Sequence, residues 1–225
     1  MEKPALYDEL SVEGFINWDN AEIFKDVIET VNPKSILEIG FYRGASSFFW
    51  LYLSSAKLLS VDSMRWEGCS IENVRKLINR FPDRFSFICE SSQTVHNKLF
   101  HQHFDLLYID GGHTSDIVIN DIQLGIDLEI EYLFLDDLCP NIFRLLRVLT
   151  ESKYEIKKMY DRKTTNEWIH MALVQKIKRQ PEDVLLYDTI KKWERIFNEK
   201  EVEIPTLWGK LKRRLTLSAQ RITKR

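Results

Sequence analysis

Residues 35–44 read Ser-Ile-Leu-Glu-Ile-Gly-Phe-Tyr-Arg-Gly, an apolar, β-branched run that ends in a turn with glycines at 40 and 44. The first half has the composition of a strand, and the residues directly after Gly44, 45–53, have that of a helix. A strand, a glycine turn and a helix in that order leave helix N-terminal N–H groups facing whatever approaches the turn. The same stretch also suits a tight turn that holds no ligand.

The pattern repeats outward. Further apolar runs lie at 57–61 (KLLSV), 85–89 (FSFIC), 104–109 (FDLLYI) and 131–135 (EYLFL), with helical spacing at 69–80 and 114–128. Strand alternating with helix predicts a parallel sheet covered on both faces. Before the first strand, Asp19 or Asn20 can cap a helix that ends at Asn32-Pro33, since the residue preceding a proline resists the α region. After Asp137 the rhythm changes. Pro140 can open a helix to about Thr150, and extended segments follow at 154–160 and 168–177, separated by DRKTTNE. That connection is too short for a helical crossover, so the two should pair antiparallel. From Pro181 to Arg225 the chain reads as two helices divided near Pro205.

At 225 residues, with 44% apolar and 29% charged side chains, one sizeable α/β domain with an appendage is expected. A net charge of −2 argues against a nucleic-acid binder that works by global electrostatics. The charge is unevenly spread: residues 206–225 hold seven Lys or Arg and no acid, leaving −9 on the rest. Trp208, Leu211, Leu215 and Ile222 share one face of that basic tail. The pattern suits an anionic membrane surface or acidic partner, and equally a frayed, solvated end. Cys69, Cys89 and Cys139 have no metal spacing and read as reduced thiols. No signal-peptide core and no run of about 18 apolar residues is seen. A cytoplasmic protein is expected, with membrane association at the inner face through the tail as an open addition, and homo-oligomerisation left open.

Acids cluster where strands should end. Asp62, with the adjoining Ser63, closes the second strand, where an acid can accept hydrogen bonds from both hydroxyls of a ribose. Asp110-Gly-Gly-His113 follows the fourth strand and Asp136-Asp137 the fifth. Neighbouring parallel strands are about 4.8 Å apart, so these carboxylates should converge, and clustered acids favour a hard cation such as Mg²⁺ or Mn²⁺. His113 suits general-base work on a hydroxyl. Each feature alone also suits a helix cap or a surface loop. The dinucleotide fingerprint, with three glycines as G-x-G-x-x-G, is missing from the 38–44 turn, which disfavours a nicotinamide-dependent oxidoreductase.

Together these residues resemble a class I S-adenosylmethionine-dependent methyltransferase, over roughly residues 14–176. Glu38-x-Gly40-x-x-x-Gly44 is similar to the family's first motif, with Tyr42 where a central glycine is common. Asp62 matches the ribose-binding acid, and Ser91-Ser92 match the stretch flanking adenine, with Ser91 where an acid is common. YIDGGHTSDIVINDI resembles the branch acting on sugars and macrolides, related to cephalosporin hydroxylase-like proteins. The resemblance implies a Rossmann-like sheet of five parallel strands plus a C-terminal antiparallel hairpin, with helices on both faces. It divides the chain into a helical cap at 1–33, a cofactor-binding domain at 34–178 and a basic helical extension at 179–225. It further implies Glu38, Gly40, Tyr42, Gly44, Asp62, Ser63, Ser91, Ser92 and Asp110 as cofactor contacts. Asp110, Asp136 and Asp137 become metal ligands, Asp110 also takes part in catalysis, and His113 is the base.

The implied activity is Mg²⁺-assisted methylation of a hydroxyl on a sugar, polyol or natural-product-like molecule. The alternative is a non-catalytic module in a glycan-assembly complex. The acceptor pocket should be built from 14–18, the loop at 65–68 and the segment after Asp137. His96, His101 and His103 read as surface residues, and Trp18, Phe48, Phe49 and Trp50 as core or a dimer contact.

Overall fold

The computed structural model describes residues 1–10, 12, 14, 16–112, 114–138, 154–163 and 168–177. The expected Pro140 helix, His113, Cys139 and the 179–225 extension lie outside them. Within them the apolar runs become β1 (Ser35–Ile39), β2 (Lys57–Val61), β3 (Phe85–Ile88), β4 (Leu106–Ile109), β5 (Tyr132–Leu135), β6 (Tyr154–Lys163) and β7 (Trp168–Lys176). They form one seven-stranded sheet in the order β3-β2-β1-β4-β5-β7-β6. Strands β1 to β5 run parallel, while β7 pairs antiparallel with both β5 and β6. This is the expected Rossmann-like sheet with its terminal hairpin. The hairpin's second strand, and not its first, lies against β5.

Successive residues of each strand point to opposite faces, and both faces are dry. On one side Ile36, Leu58, Leu106, Tyr108, Phe134 and Leu173 meet α2 (Ala21–Val31) and α3 (Ala45–Leu53). On the other, Leu37, Leu107, Ile109, Leu133, Leu135 and Val174 meet α5 (Ser92–Leu99) and α6 (Ser115–Asp127). Residues Phe48, Phe49, Trp50 and Leu51 are all buried, so α3 needs cover on the side away from the sheet as well. The first helix, α1 (Ala5–Leu10), which the sequence pattern did not separate from its surroundings, provides that outer cover. Its Tyr7 ring stacks on Phe49 at 5.8 Å, while Phe24 of α2 meets Trp50 edge-on at 4.6 Å. Trp18 packs edge-on against the same Phe49.

Helix ends follow local chemistry. Ser70 precedes α4 (Ile71–Arg80) and accepts the Asn73 N–H, so this helix starts two residues later than its periodicity suggests. Asn32 closes α2 in the left-handed region, at φ 48°, and accounts for the stop ahead of Pro33. At the base of the sheet, Asp105 Oδ2 accepts the Lys34 and Ser35 N–H groups at 2.7 and 2.9 Å, tying the starts of β1 and β4 together. Replacing Asp105 by Ala should cost about 1–3 kcal/mol, because two backbone donors lose a charged acceptor. Urea unfolding would read the loss, and a change under 0.5 kcal/mol would refute the account.

Candidate active site

A cavity of about 400 Å³ opens at the carboxyl ends of the parallel strands. It is lined by residues 39–46 from the β1 turn, 61–63 after β2, 90–92 after β3, 110–112 after β4, and Asp137 after β5. Val12, Gly14 and Ile16 from the N-terminal segment, Trp66 and Cys69 from the β2–α4 loop and Ile117 of α6 complete it.

The β1 turn takes its shape from backbone crowding. Gly40 has φ 98°, and a Cβ there would stand 2.0 Å from the Asp110 carbonyl oxygen. The glycine is therefore required by contact between two strand ends, a different reason from the ligand approach inferred from sequence. Tyr42 adopts φ 50°, the left-handed region that glycine enters without strain, which accounts for glycine being common here in the resembling family. Its ring fills the space between Gly14 and Gly68: a Cβ at those positions would lie 3.1 and 2.7 Å from the tyrosine. Tyr42 thus ties the N-terminal segment and the β2–α4 loop to the turn.

Asp62 holds the turn from the side. Its Oδ2 accepts the N–H groups of Phe41 at 2.8 Å and Tyr42 at 3.0 Å, and its Oδ1 accepts that of Met64 at 2.7 Å. A carboxylate offers about four lone-pair positions, so three are used and Oδ1 keeps room for one donor. The expected grip on two hydroxyls therefore becomes room for one.

Glu38 does not line the cavity. It is fully buried beneath the turn, where the Ser47 hydroxyl donates to Oε2. Burial pushes its pKa up to about 7, against the opposing effect of hydroxyls from Ser47, Ser60 and Ser46, and the charge on Asp62 adds to the rise. Oε1 and the Ser60 Oγ are both buried without a partner at hydrogen-bond distance.

The strand-end acids are brought together in part. Asp110 and Asp137 line the cavity. Asp136 is turned away, 5% exposed, with Oδ1 accepting the Asp137 N–H and Oδ2 the Tyr108 hydroxyl at 2.8 Å. The same hydroxyl lies 3.1 Å from Asp110 Oδ2. The Tyr108 hydroxyl thus links Asp110 to the buried Asp136. No group of three or more His, Cys, Asp or Glu is placed to hold a metal among the described residues. His113 lies outside them.

Ser63, Ser91 and Ser92 reach the cavity with Gly40, Tyr42 and Gly44. Ser91 also caps α5, accepting the Gln93 N–H. Three groups were missed from sequence. Glu90 and Cys69 line the wall, and Asp121 of α6 is buried just behind it. An acid between Val118 and Ile122, on an apolar helix face, was the one signal available for Asp121.

Residues 37–128 match the family model described as a methyltransferase domain. None of the curated proteins matches the sequence. Among solved structures, a candidate O-methyltransferase from Klebsiella pneumoniae superposes with a TM-score of 0.64 at 12% identity, over 79% of this chain and 92% of that one. The O-methyltransferase TomG from Streptomyces achromogenes, in complex with SAM, gives 0.62 at 13% identity over 79% and 91%. An O-methyltransferase from Bacillus cereus, in complex with SAH, gives 0.60 at 13% identity over 78% and 93%. Likeness at this identity establishes the fold. The match covers residues 37–128, and the fold of the chain is that of O-methyltransferases of known structure.

Glu38 yields a test of stability against pH. A carboxyl raised from 4.5 to about 7 stabilises the fold fully below pH 4.5 and loses that contribution as pH rises through 7. At about 1.4 kcal/mol per unit the loss is about 3 kcal/mol. Glu38→Gln keeps a neutral group of the same shape that does not titrate, so its stability should fall less than the wild type's between pH 5 and 8, by roughly 2–3 kcal/mol. Parallel pH profiles from urea unfolding would refute the assignment.

Proposed function

We propose that the protein transfers the methyl group of S-adenosylmethionine to a hydroxyl oxygen of a small sugar-like or polyol-like acceptor. The observation that carries this reading is the convergence of the β1 turn, Asp62, Ser91-Ser92 and Asp110 on one cavity at the carboxyl ends of neighbouring parallel strands. The methyltransferase-domain match and the O-methyltransferases of similar fold support the reaction class and the oxygen acceptor.

The site fits this cofactor chemically. The free position on Asp62 Oδ1 accepts one ribose hydroxyl, and the left-handed turn presents its backbone to the amino-acid portion. With the ribose over β2 and the turn over β1, the base extends toward the β3 side, where residues 90–92 line the wall. The bound cofactor supplies an electrophilic methyl group. Asp110 and Asp137 face the remaining space, where the acceptor would lie beside Trp66 and the N-terminal segment.

In this reading His113 takes the acceptor's proton, and in-line positioning within a preorganised cleft provides much of the acceleration. Mg²⁺, if used, would be held by Asp110 and Asp137 with water and acceptor oxygens, since this ion commonly binds through one or two carboxylates, and would polarise the hydroxyl. The basic segment 206–225 is proposed as a contact for an anionic membrane surface. No helix of the described residues is long and apolar enough to cross a membrane.

Calorimetry should detect S-adenosylhomocysteine binding to the wild type, and no binding would reject the reading. Asp62→Asn places an N–H₂ or a weaker acceptor against the Phe41 and Tyr42 N–H groups, and affinity should fall about tenfold or more. His113→Ala should bind the cofactor normally and lose turnover in a labelled-methyl assay with polyol acceptors. Retained turnover would remove His113 as the base.

A further inference from the structure

Trp66 is 66% exposed, more than any other large apolar side chain among the described residues, and it stands in the cavity wall. Leaving so large an indole in water forgoes apolar burial, and ligand cavities are lined by aromatic side chains with a few polar groups that fix orientation. The loop that carries it is pinned on both sides. Before Trp66, the Met64 N–H is held by Asp62 Oδ1 at 2.7 Å, and Met64 packs against the aromatic core. After it, the Cys69 N–H closes a four-residue turn onto the Trp66 carbonyl at 3.2 Å, with Gly68 at φ 93° in the third position. Gly68 is pressed onto Tyr42, whose hydroxyl oxygen would stand 2.7 Å from a Cβ there, and the Ser70 N–H donates to the Tyr42 carbonyl at 2.9 Å. The β1 turn therefore also fixes where the indole stands.

Asp110 and Asp137 line the same cavity, and a carboxylate receives hydroxyl protons. A ligand that satisfies both kinds of wall needs hydroxyls at its edge and a bare face. We propose that Trp66 is a specificity-determining residue that makes the site select a cyclic acceptor, with hydroxyls around a ring and an apolar ring face, over an open-chain polyol. The inference rests on the reaction proposed above and deepens it. In a chair-shaped ring with equatorial hydroxyls, the axial C–H bonds form an apolar patch that lies against the electron-rich indole face, while the edge hydroxyls reach the carboxylates. An open-chain polyol spreads its hydroxyls over every side and loses several rotors when it binds.

The test compares scyllo-inositol and methyl β-glucopyranoside with sorbitol, which has as many carbons and hydroxyls as the inositol, in a labelled-methyl assay. The wild type should favour the two rings in kcat/KM by about tenfold or more. Trp66→Ala should bring that ratio toward unity by raising KM for the rings more than it lowers kcat, with S-adenosylhomocysteine affinity kept in calorimetry. Trp66→Phe keeps an aromatic face and should restore most of the preference. With S-adenosylhomocysteine bound, the ring ligands should shift tryptophan emission to the blue in the wild type and not in Trp66→Phe. A wild type that methylates sorbitol as well as the rings overturns the proposal, as does a preference that survives Trp66→Ala. Equal loss of S-adenosylhomocysteine affinity in Trp66→Ala would assign the indole to the cofactor and overturn it too. Failure of S-adenosylhomocysteine to bind the wild type rejects the cofactor reading, and binding without transfer to any of the three rejects the acceptor reading; each takes this inference with it.

Discussion

The β1 turn is clamped between the ends of two neighbouring strands. On the β2 side the Asp62 carboxylate receives the Phe41 and Tyr42 N–H groups, and on the β4 side the Asp110 carbonyl presses against Gly40 so closely that no Cβ could intervene. These contacts set the left-handed backbone at Gly40, Tyr42 and Gly44. Tyr42 in turn reaches the N-terminal segment and the β2–α4 loop through Gly14 and Gly68. Three walls of the cavity therefore depend on one turn, and the turn depends on the sheet register that sets β1 between β2 and β4.

A second layer of polar groups lies below the surface that a ligand would touch. Glu38 under the turn, Asp136 under Asp110 and Asp121 behind Gly111 are all buried acids, held by hydroxyl or amide donors. Burying a carboxyl is costly unless it is hydrogen-bonded or protonated, and such groups concentrate where a site needs fixed orientation. Here they set the direction of hydroxyls and of strand ends. The Tyr108 hydroxyl between Asp110 and Asp136 is an example, one proton shared between two carboxylate oxygens at 3.1 and 2.8 Å.

The strand and helix order was readable because burial on both faces of a parallel sheet forces continuous apolar runs such as 106–109, and helical spacing is preserved in 115–127. Helix α1 was not readable. Six residues are too few for a periodicity to stand out, and what orders them is Tyr7 stacked on Phe49, a contact 42 positions away in the chain. Of the cavity-lining residues, Gly40, Gly44, Asp62, Ser63, Asp110 and Asp137 were legible from their places at strand ends, and Tyr42, Ser91 and Ser92 only through the family resemblance.

What the sequence determined by itself was the alternation of elements and the set of strand ends where polar residues gather, because both follow from local composition and spacing. It did not determine which acids face the cavity. Glu38 and Asp136 are acids near strand ends like Asp62 and Asp137, yet both are buried away from the cavity. Asp137, at φ 49°, turns toward the cavity while Asp136 points to Tyr108. That choice is made by packing against neighbouring strands, through hydrogen bonds between residues 28 apart in the Tyr108–Asp136 pair and 21 apart in the Asp62–Phe41 pair. Tertiary structure alone brings those partners together.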